Sequence, residues 1–467
     1  MASATISTPT GETTGSPAPD DSSSNTMTRA ENDNEKHAEP VGALQASDDE
    51  TQDKGDPSPL KASVNNVSSI PNGGTKAWLQ VLGAHFLFFN SWGIVNAFGT
   101  YQTYYEESFL SSSSPSSIAW IGSIQAFLLL FVGALTGPVY DAGYSRALII
   151  GGSFFLVFGQ MMLSLCTEYW QVLLAQGICV GIGSGLLCVP STAILSQYFT
   201  TRLATAVGIT ASGSSLGGII YPVVFHRLQP TIGFPWATRV IGFIMLFTQI
   251  ISIMVMRVRV LPDKKRAIID IGAFKEMPYL FFVISVFVGF MGLYLPFFYV
   301  QSFAIEKNIT DSNLGFYILA IMNATSAFGR IIPGFLSDKI GPMNVMTPCA
   351  LISAVLCFCF IPVKSVASLI VLAVLYGFFS GTFVSSPTAT VVRLSSHSRG
   401  NIGTRLGQCF GAVSFGLLIG TPVGGVVLDK HGFSGLWIFA GALTAASGCL
   451  VIVSRLFYVG SDLMKKA

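Results

Sequence analysis

Charge is scarce in this chain. Asp, Glu, Lys and Arg make up 11% of its 467 residues, against roughly 25% in ordinary soluble domains, while 51% are hydrophobic. From Ala77 onward no stretch could supply the charged shell that a soluble core of this size needs, so a soluble globular protein is excluded. The net charge of +2 is not gathered into a basic face, which excludes nucleic acid as a partner. Eight cysteines lie in or beside apolar runs without a Cys-x-x-Cys pair, and read as small hydrophobes rather than metal ligands or disulfides. No Gly-rich loop is followed by Lys-Ser/Thr, so ATP-driven pumping has no support. Paired acids, histidine clusters and Ser–His dyads are missing from the apolar runs, which argues against an intramembrane enzyme. No metal or cofactor is implied.

What the chain does contain is long apolar segments. Twelve of them can cross about 30 Å of hydrocarbon: 77–103, 117–137, 146–166, 171–195, 203–224 and 235–256, then 279–300, 313–336, 345–362, 366–391, 402–427 and 434–458. The predicted fold class is an all-α integral membrane protein, with twelve transmembrane helices in two pseudo-symmetric six-helix bundles. The predicted division is a disordered cytoplasmic tail (1–76), an N-terminal bundle (77–256), a basic cytoplasmic loop (257–278), a C-terminal bundle (279–458) and a short cytoplasmic tail (459–467). The leader is rich in Ser, Thr, Pro and acids and poor in aromatics, so it cannot bury enough area to offset its ordering entropy. It also lacks a signal peptide's basic start and apolar core.

Basic residues set the orientation. With the N-terminus inside, inner loops hold Arg146, Arg202, the cluster from Arg257 to Lys275, Lys339, Arg393, Arg399, Arg405, Lys465 and Lys466. Outer loops hold only Arg227, Lys307, Lys364 and Lys430, with Arg239 near a helix start. The positive-inside bias predicts both termini in the cytosol. The sequon Asn308-Ile309-Thr310 then falls in an outer loop, making Asn308 a glycosylation candidate.

Two short polar turns repeat. Thr136–Gly143 reads TGPVYDAG and Gly329–Gly341 reads GRIIPGFLSDKIG, sharing Gly-x-x-x-Asp at Gly137/Asp141 and Gly334/Asp338, both 197 residues apart. Each follows an apolar span, at the inner ends of helices 2 and 8. Asp141 and Asp338 can accept from N–H groups at a neighbouring helix N-terminus, or pair with Arg146 or Lys339. The glycines permit close approach. These six residues are the candidate inner gate.

With these turns in place, the chain from 77 to 458 resembles the major facilitator superfamily, and more narrowly its fungal monocarboxylate-transporter-like branch. The resemblance rests on the entry Asn72-Gly73-Gly74 before Trp78, on Trp92-Gly93 and Phe98-Gly99-Thr100-Tyr101-Gln102, on the Ser212–Gly218 glycine-serine row, and on Gly420-Thr421-Pro422 with Gly424-Gly425. The branch usually has Asp where Asn72 stands. Its mammalian relatives pair the helix-8 arginine with an Asp one turn earlier, where this chain has Ser326, and carry a helix-1 Lys where it has Val95-Asn96-Ala97. Their proton-coupled lactate mechanism therefore does not carry over.

No carboxylate falls in the middle of any predicted span. Arg330 is the strongest candidate contact, because a guanidinium within hydrocarbon is costly and suits a carboxylate; a gate arginine snorkelling toward the inner turn is the other role open to it. His85 is the candidate proton carrier, with helix packing as its alternative. Asn90, Asn323, Tyr294 and Tyr376 are candidate cavity-lining residues, as against interhelical hydrogen bonding. The reading is a multi-pass transporter, a monomer in the plasma membrane, working by alternating access. Its partners are the bilayer, a small organic anion or amphipathic metabolite, and protons. Export of a secondary metabolite is the alternative to uptake, and a non-transporting nutrient sensor is a remote one.

Overall fold

The computed structural model describes residues 70–260, 267–396, 402–462 and 467. The expectations placed on residues 1–69, on Lys264, Lys265 and Arg266, and on Arg399, Lys465 and Lys466 lie outside them. The described residues belong to one compact unit, 59–467.

Among them, all regular structure is helical, and ten helices are long and apolar enough to cross a membrane. Eight are α1 (Thr75–Phe109), α2 (Pro115–Leu135), α3 (Gly137–Leu163), α4 (Tyr169–Gln197), α7 (Met277–Glu306), α8 (Ser312–Ile340), α9 (Pro342–Cys359) and α10 (Val366–Leu394). The other two, Leu203–Val255 and Ile402–Val459, have 53 and 58 residues, roughly 80 Å or more at 1.5 Å per residue, and cannot be single spans. Each is broken once, at Gly233 (φ 76°) and Gly432 (φ 65°), where a side chain would be strained. We treat the parts as α5 (203–232) and α6 (234–255), and as α11 (402–431) and α12 (433–459). Divided at these two glycines, the ten helices of the described residues give twelve segments. The sequence predicts several loop residues at each reversal; the chain instead reverses at one glycine.

Helix α1 also runs further than predicted, ending in a π-helical turn, Tyr105–Phe109, that adds Glu106 and Glu107 to the helix. The prediction stops at 103 because the apolar run stops there, whereas the helix continues along α7.

Small residues set the helix spacing. A Cβ at Gly93 of α1 would sit 2.8 Å from the Gly217 Cα of α5, so these backbones touch. Polar side chains join helices within a bundle. Tyr221 donates to Asn90 Oδ1 (2.6 Å), and Asn90 Nδ2 donates to Thr248 Oγ1 (2.9 Å), tying α1, α5 and α6. In the other half, the Tyr376 hydroxyl donates to the Leu293 carbonyl (2.7 Å), tying α10 to α7.

The two halves meet through α1, α2 and α5 on one side and α7, α8 and α11 on the other. Trp92 stacks on Tyr294 (6.3 Å between centroids) and Phe98 packs on Phe298 (5.3 Å). The hydroxyls of Ser123 and Thr421 bond each other. His226 stacks on Phe316 (4.1 Å), and Arg227 donates to the Tyr317 hydroxyl (2.8 Å).

Candidate functional site

The helix pair α5–α8 carries the candidate site along its length. At the end bearing the acidic turns, Asp338 Oδ1 accepts the Ala204 N–H (3.2 Å), and Oδ2 accepts the Thr205 N–H (3.0 Å) and hydroxyl (2.8 Å). Asp338 thus caps the first turn of α5 from the opposite half, where helix N-termini have donors to spare and favour negative charge. Gly334, one turn earlier, lets α5 come close: its Cβ would stand 3.1 Å from the Ala204 carbonyl oxygen. Lys339 lies over the Phe335 ring of its own helix (4.4 Å).

The N-terminal copy of the turn differs in backbone and in surroundings. Gly143 (φ 93°, ψ 0°) stands two residues after Asp141, whereas Gly341 (φ 101°, ψ 144°) stands three residues after Asp338. Asp141 is buried, Gly137 opens the turn ahead of Pro138, and Arg146 is exposed. Asp141 lines a cavity of about 530 Å³ between α2, α3, α4 and α5 on one side and α10 and α11 on the other. Gln197, Thr388, Arg393, Ile402 and Phe410 also line it. Ser196 and Arg393 are exposed, so the cavity reaches the surface at this end. One seam between the halves is latched here and the other holds space.

A second side-chain-to-backbone contact lies nearby, just ahead of α5. Asn72 Oδ1 accepts the N–H groups of Thr200 and Thr201 (3.0 and 3.1 Å), and its Nδ2 donates to the Thr201 hydroxyl (2.8 Å). An amide oxygen serves here as acceptor where the resemblance implies an acid.

Two turns further along α8, Arg330 is 2% exposed. One of its Nη atoms donates to the Ala211 carbonyl (2.7 Å) and to the Ser214 hydroxyl, both on α5. The helices approach because a Cβ at Gly208 would lie 2.6 Å from the Arg330 carbonyl oxygen. Among the described residues no carboxylate pairs with Arg330, and its Nε has no protein partner. Ser326 Oγ and Asn323 Oδ1 are also buried without one. Positions 323, 326 and 330 share one helix face.

Asn323 Nδ2 donates to the Gly218 carbonyl (3.2 Å), Asn96 Nδ2 to the Ser214 carbonyl (3.3 Å), and the Tyr294 hydroxyl to Asn96 Oδ1 (3.4 Å). Polar groups from α1, α5, α7 and α8 thus converge on the contact between the halves. Trp92 and Phe290 stack on Tyr294 beside them. A buried cation, unsatisfied acceptors and aromatic faces can hold a planar molecule with an anionic or acidic group.

Of the predicted substrate contacts, Arg330, Asn323 and Tyr294 come together here. Asn90 and Tyr376 are engaged in packing within single halves. His85 is half-buried, and its Nδ1 lies 2.9 Å from the Ile209 carbonyl; a carbonyl only accepts, so that nitrogen carries the hydrogen. Asn308 occupies an exposed turn after α7 with φ 52°. Sequence reasoning missed Ser214 and Ser326, which read there as a packing row and as a lost acid.

A helical membrane protein of two facing halves, with a latch at one end and a buried polar cluster between them, is a transporter rather than an enzyme. Sequence comparison gives the family. The Major Facilitator Superfamily model matches residues 81–404 and 307–463, and this chain belongs to that superfamily. It is 50% identical over 386 residues to the MFS-type transporter dbaD of Emericella nidulans, covering 82% of this chain and 87% of that one. It is 39% identical over 389 residues to the aspyridones efflux protein apdF of the same organism, covering 83% and 79%. The structure is similar to that of the E. coli fucose:proton symporter FucP, with a TM-score of 0.57 at 17% identity over 82% of this chain and 98% of that chain, a likeness of fold alone.

Proposed function

We propose that this transporter exports an amphipathic secondary metabolite with an acidic or anionic group, by alternating access. The observation that carries the reading is Arg330: a buried guanidinium without a carboxylate partner, beside unsatisfied Asn323 and Ser326 oxygens and the Tyr294–Trp92 stack. Relatives named as secondary-metabolite efflux proteins favour export over uptake. In this reading the halves 77–256 and 279–458 rock about the Arg330 cluster, and Asp338 and Asp141 close the cytosolic end. The protein is a monomer in the plasma membrane with both termini in the cytosol, and it couples transport to protons. Its ancestry is in the monocarboxylate-porter-like branch, without that branch's acid–arginine pair.

Untargeted mass spectrometry of cells and medium, deletion strain against overexpressing strain, tests this. A metabolite that accumulates inside deletion cells and falls in their medium is the expected result. A compound left unconsumed in the deletion medium would make the protein an importer.

A further inference from the structure

The repeat that pairs the acidic turns also pairs two helix starts. Thr201-Arg202-Leu203 opens α5 and Thr404-Arg405-Leu406 opens α11, 203 residues later, with Gly208 and Gly411 at matching places further along. The two starts are held differently. Arg202 is exposed, and α5 is capped by Asp338 of the opposite half. Arg405 is 3% exposed, and α11 is bound to the end of the connector that leads into its own half.

Asp270 Oδ1 accepts the Ala273 N–H (3.3 Å) at the start of a short 3₁₀ helix, and its Oδ2 accepts from Arg405 Nε (3.2 Å). The two Nη groups of Arg405 donate to the two Glu276 oxygens. The Thr404 hydroxyl donates to the Ala267 carbonyl (2.8 Å), and Gln408 Nε2 to the Asp270 carbonyl (3.2 Å). From α7, the Tyr279 hydroxyl donates to the Arg405 carbonyl (2.7 Å). At about 100° per residue, 404, 405 and 408 share one side of α11, while Ile402, Gly403, Leu406, Gly407 and Phe410 share the other. That other side is a wall of the cavity that Asp141 also lines. The connector thus fastens the wall from behind. In front, α11 stands off from the opposite half. A Cβ at Gly208 would lie 2.6 Å from the Arg330 carbonyl oxygen, whereas one at Gly411 meets nothing within 4 Å. Gly133, which stands 197 residues before Arg330 in the repeat, lines the cavity instead.

We propose that residues 267–276 are a strap that holds the start of α11 away from the opposite half and keeps this cavity open, with Arg405 as its positioning residue. The inference rests on the alternating-access reading above, in which this end opens and closes. Leu406 and Phe410 on one wall, and Val189 and Val207 on the other, are apolar surfaces that closure removes from water. The first turn of α11 also has backbone donors that favour the negative charge of Asp141. Both effects draw the walls together. The strap opposes them, because Glu276 leads directly into α7 and cannot follow α11 alone. Moving α11 by itself would break the Arg405 bonds and leave a buried cation unpaired, which is costly. The start of α11 therefore stays with α7 while the strap is bound.

The test is cysteine alkylation of the full chain in nanodiscs, without cargo. The native cysteines are replaced and one reporter is introduced at a time: T192C, half-buried in the cavity lining, or S302C, buried in α7 toward the end away from the acidic turns. A soluble maleimide reads the exposure of each. Arg405→Gln should slow the reaction at T192C roughly fivefold or more. Glu276→Gln should slow it by a smaller factor, and Arg405→Lys, which keeps one ion pair, should fall between Arg405 and Arg405→Gln. A loosened or partly unfolded protein reacts faster, so the sign of the change separates positioning from a loss of stability. A T192C rate in Arg405→Gln equal to or above that of the parent overturns the proposal, as does an Arg405→Lys rate below that of Arg405→Gln. A slower T192C with a faster S302C supports the strap and the rocking of the halves together. A slower T192C with S302C unchanged supports the strap and removes the alternating-access coupling. The metabolite comparison decides export on its own.

Discussion

Asp338 on α8 and Thr205 on α5 share a two-point contact, the carboxylate accepting both the backbone N–H and the side-chain hydroxyl of Thr205. The acid belongs to one half of the duplicated chain and the helix start to the other. Rocking the halves apart at this end has to break it. An exposed helix cap contributes about 1 kcal/mol, or about fivefold in population.

Asp338→Ala should therefore shift the population several-fold away from the state closed at this end and change the maximal rate of the transport cycle, while leaving the apparent affinity for cargo within twofold. Efflux from preloaded cells at graded cargo concentrations separates the two quantities. An unchanged maximal rate would remove the latch from the mechanism.

Arg330→Lys keeps the charge and gives up the planar fork. The ammonium cannot satisfy Ala211 and Ser214 while also presenting two parallel donors. Export of an acidic metabolite should fall roughly tenfold or more, the effect of losing about 1.4 kcal/mol. Surface abundance, followed by a fluorescent fusion, should stay near wild type. Full export by Arg330→Lys would assign the residue to packing.

Gly208→Ala addresses the spacing of the same helices. Its methyl would begin 2.6 Å from the Arg330 carbonyl oxygen, and backbone must yield. A loss of about 1–3 kcal/mol is expected for such overpacking, read as a lower midpoint in thermal unfolding of the purified protein. An unchanged midpoint would show that α5 and α8 are not in close contact in the dominant state.

Arg405 anchors the connector between the halves. On the first turn of α11, its guanidinium donates to both Glu276 oxygens and to Asp270 (3.2 Å), around the short 3₁₀ helix Ile271–Lys275. Arg405→Gln should remove the bonds that Glu276 and Asp270 accept from the guanidinium and speed limited proteolysis between residues 267 and 276. Equal cleavage rates in both proteins would contradict a fixed connector.

Asn308→Gln tests topology. If the α7–α8 turn faces outside, the wild-type protein carries a glycan that glycosidase removes with a shift on a gel, and the variant migrates like the trimmed protein. The absence of any shift in wild type would leave Asn308 unglycosylated and remove this support for the proposed orientation.

Local rules set what could be read from the residues alone. Twenty or so apolar residues in a row must form a helix in hydrocarbon, because only a helix satisfies its own backbone there. The repeat of Gly137/Asp141 at Gly334/Asp338 is visible as text, as is an arginine that hydrocarbon makes too costly to leave unpartnered. Which side chains meet across helices came from the packing. Asn90 and Tyr376 read the same as Asn323 and Tyr294 in one dimension, yet the first two are consumed within single halves and the second two face the contact between them. The two acidic turns also read alike, while the fold sets Asp338 against α5 and Asp141 against a cavity. The last turn of α1, Tyr105–Phe109, was hidden because hydropathy marks where hydrocarbon ends and not where a helix ends.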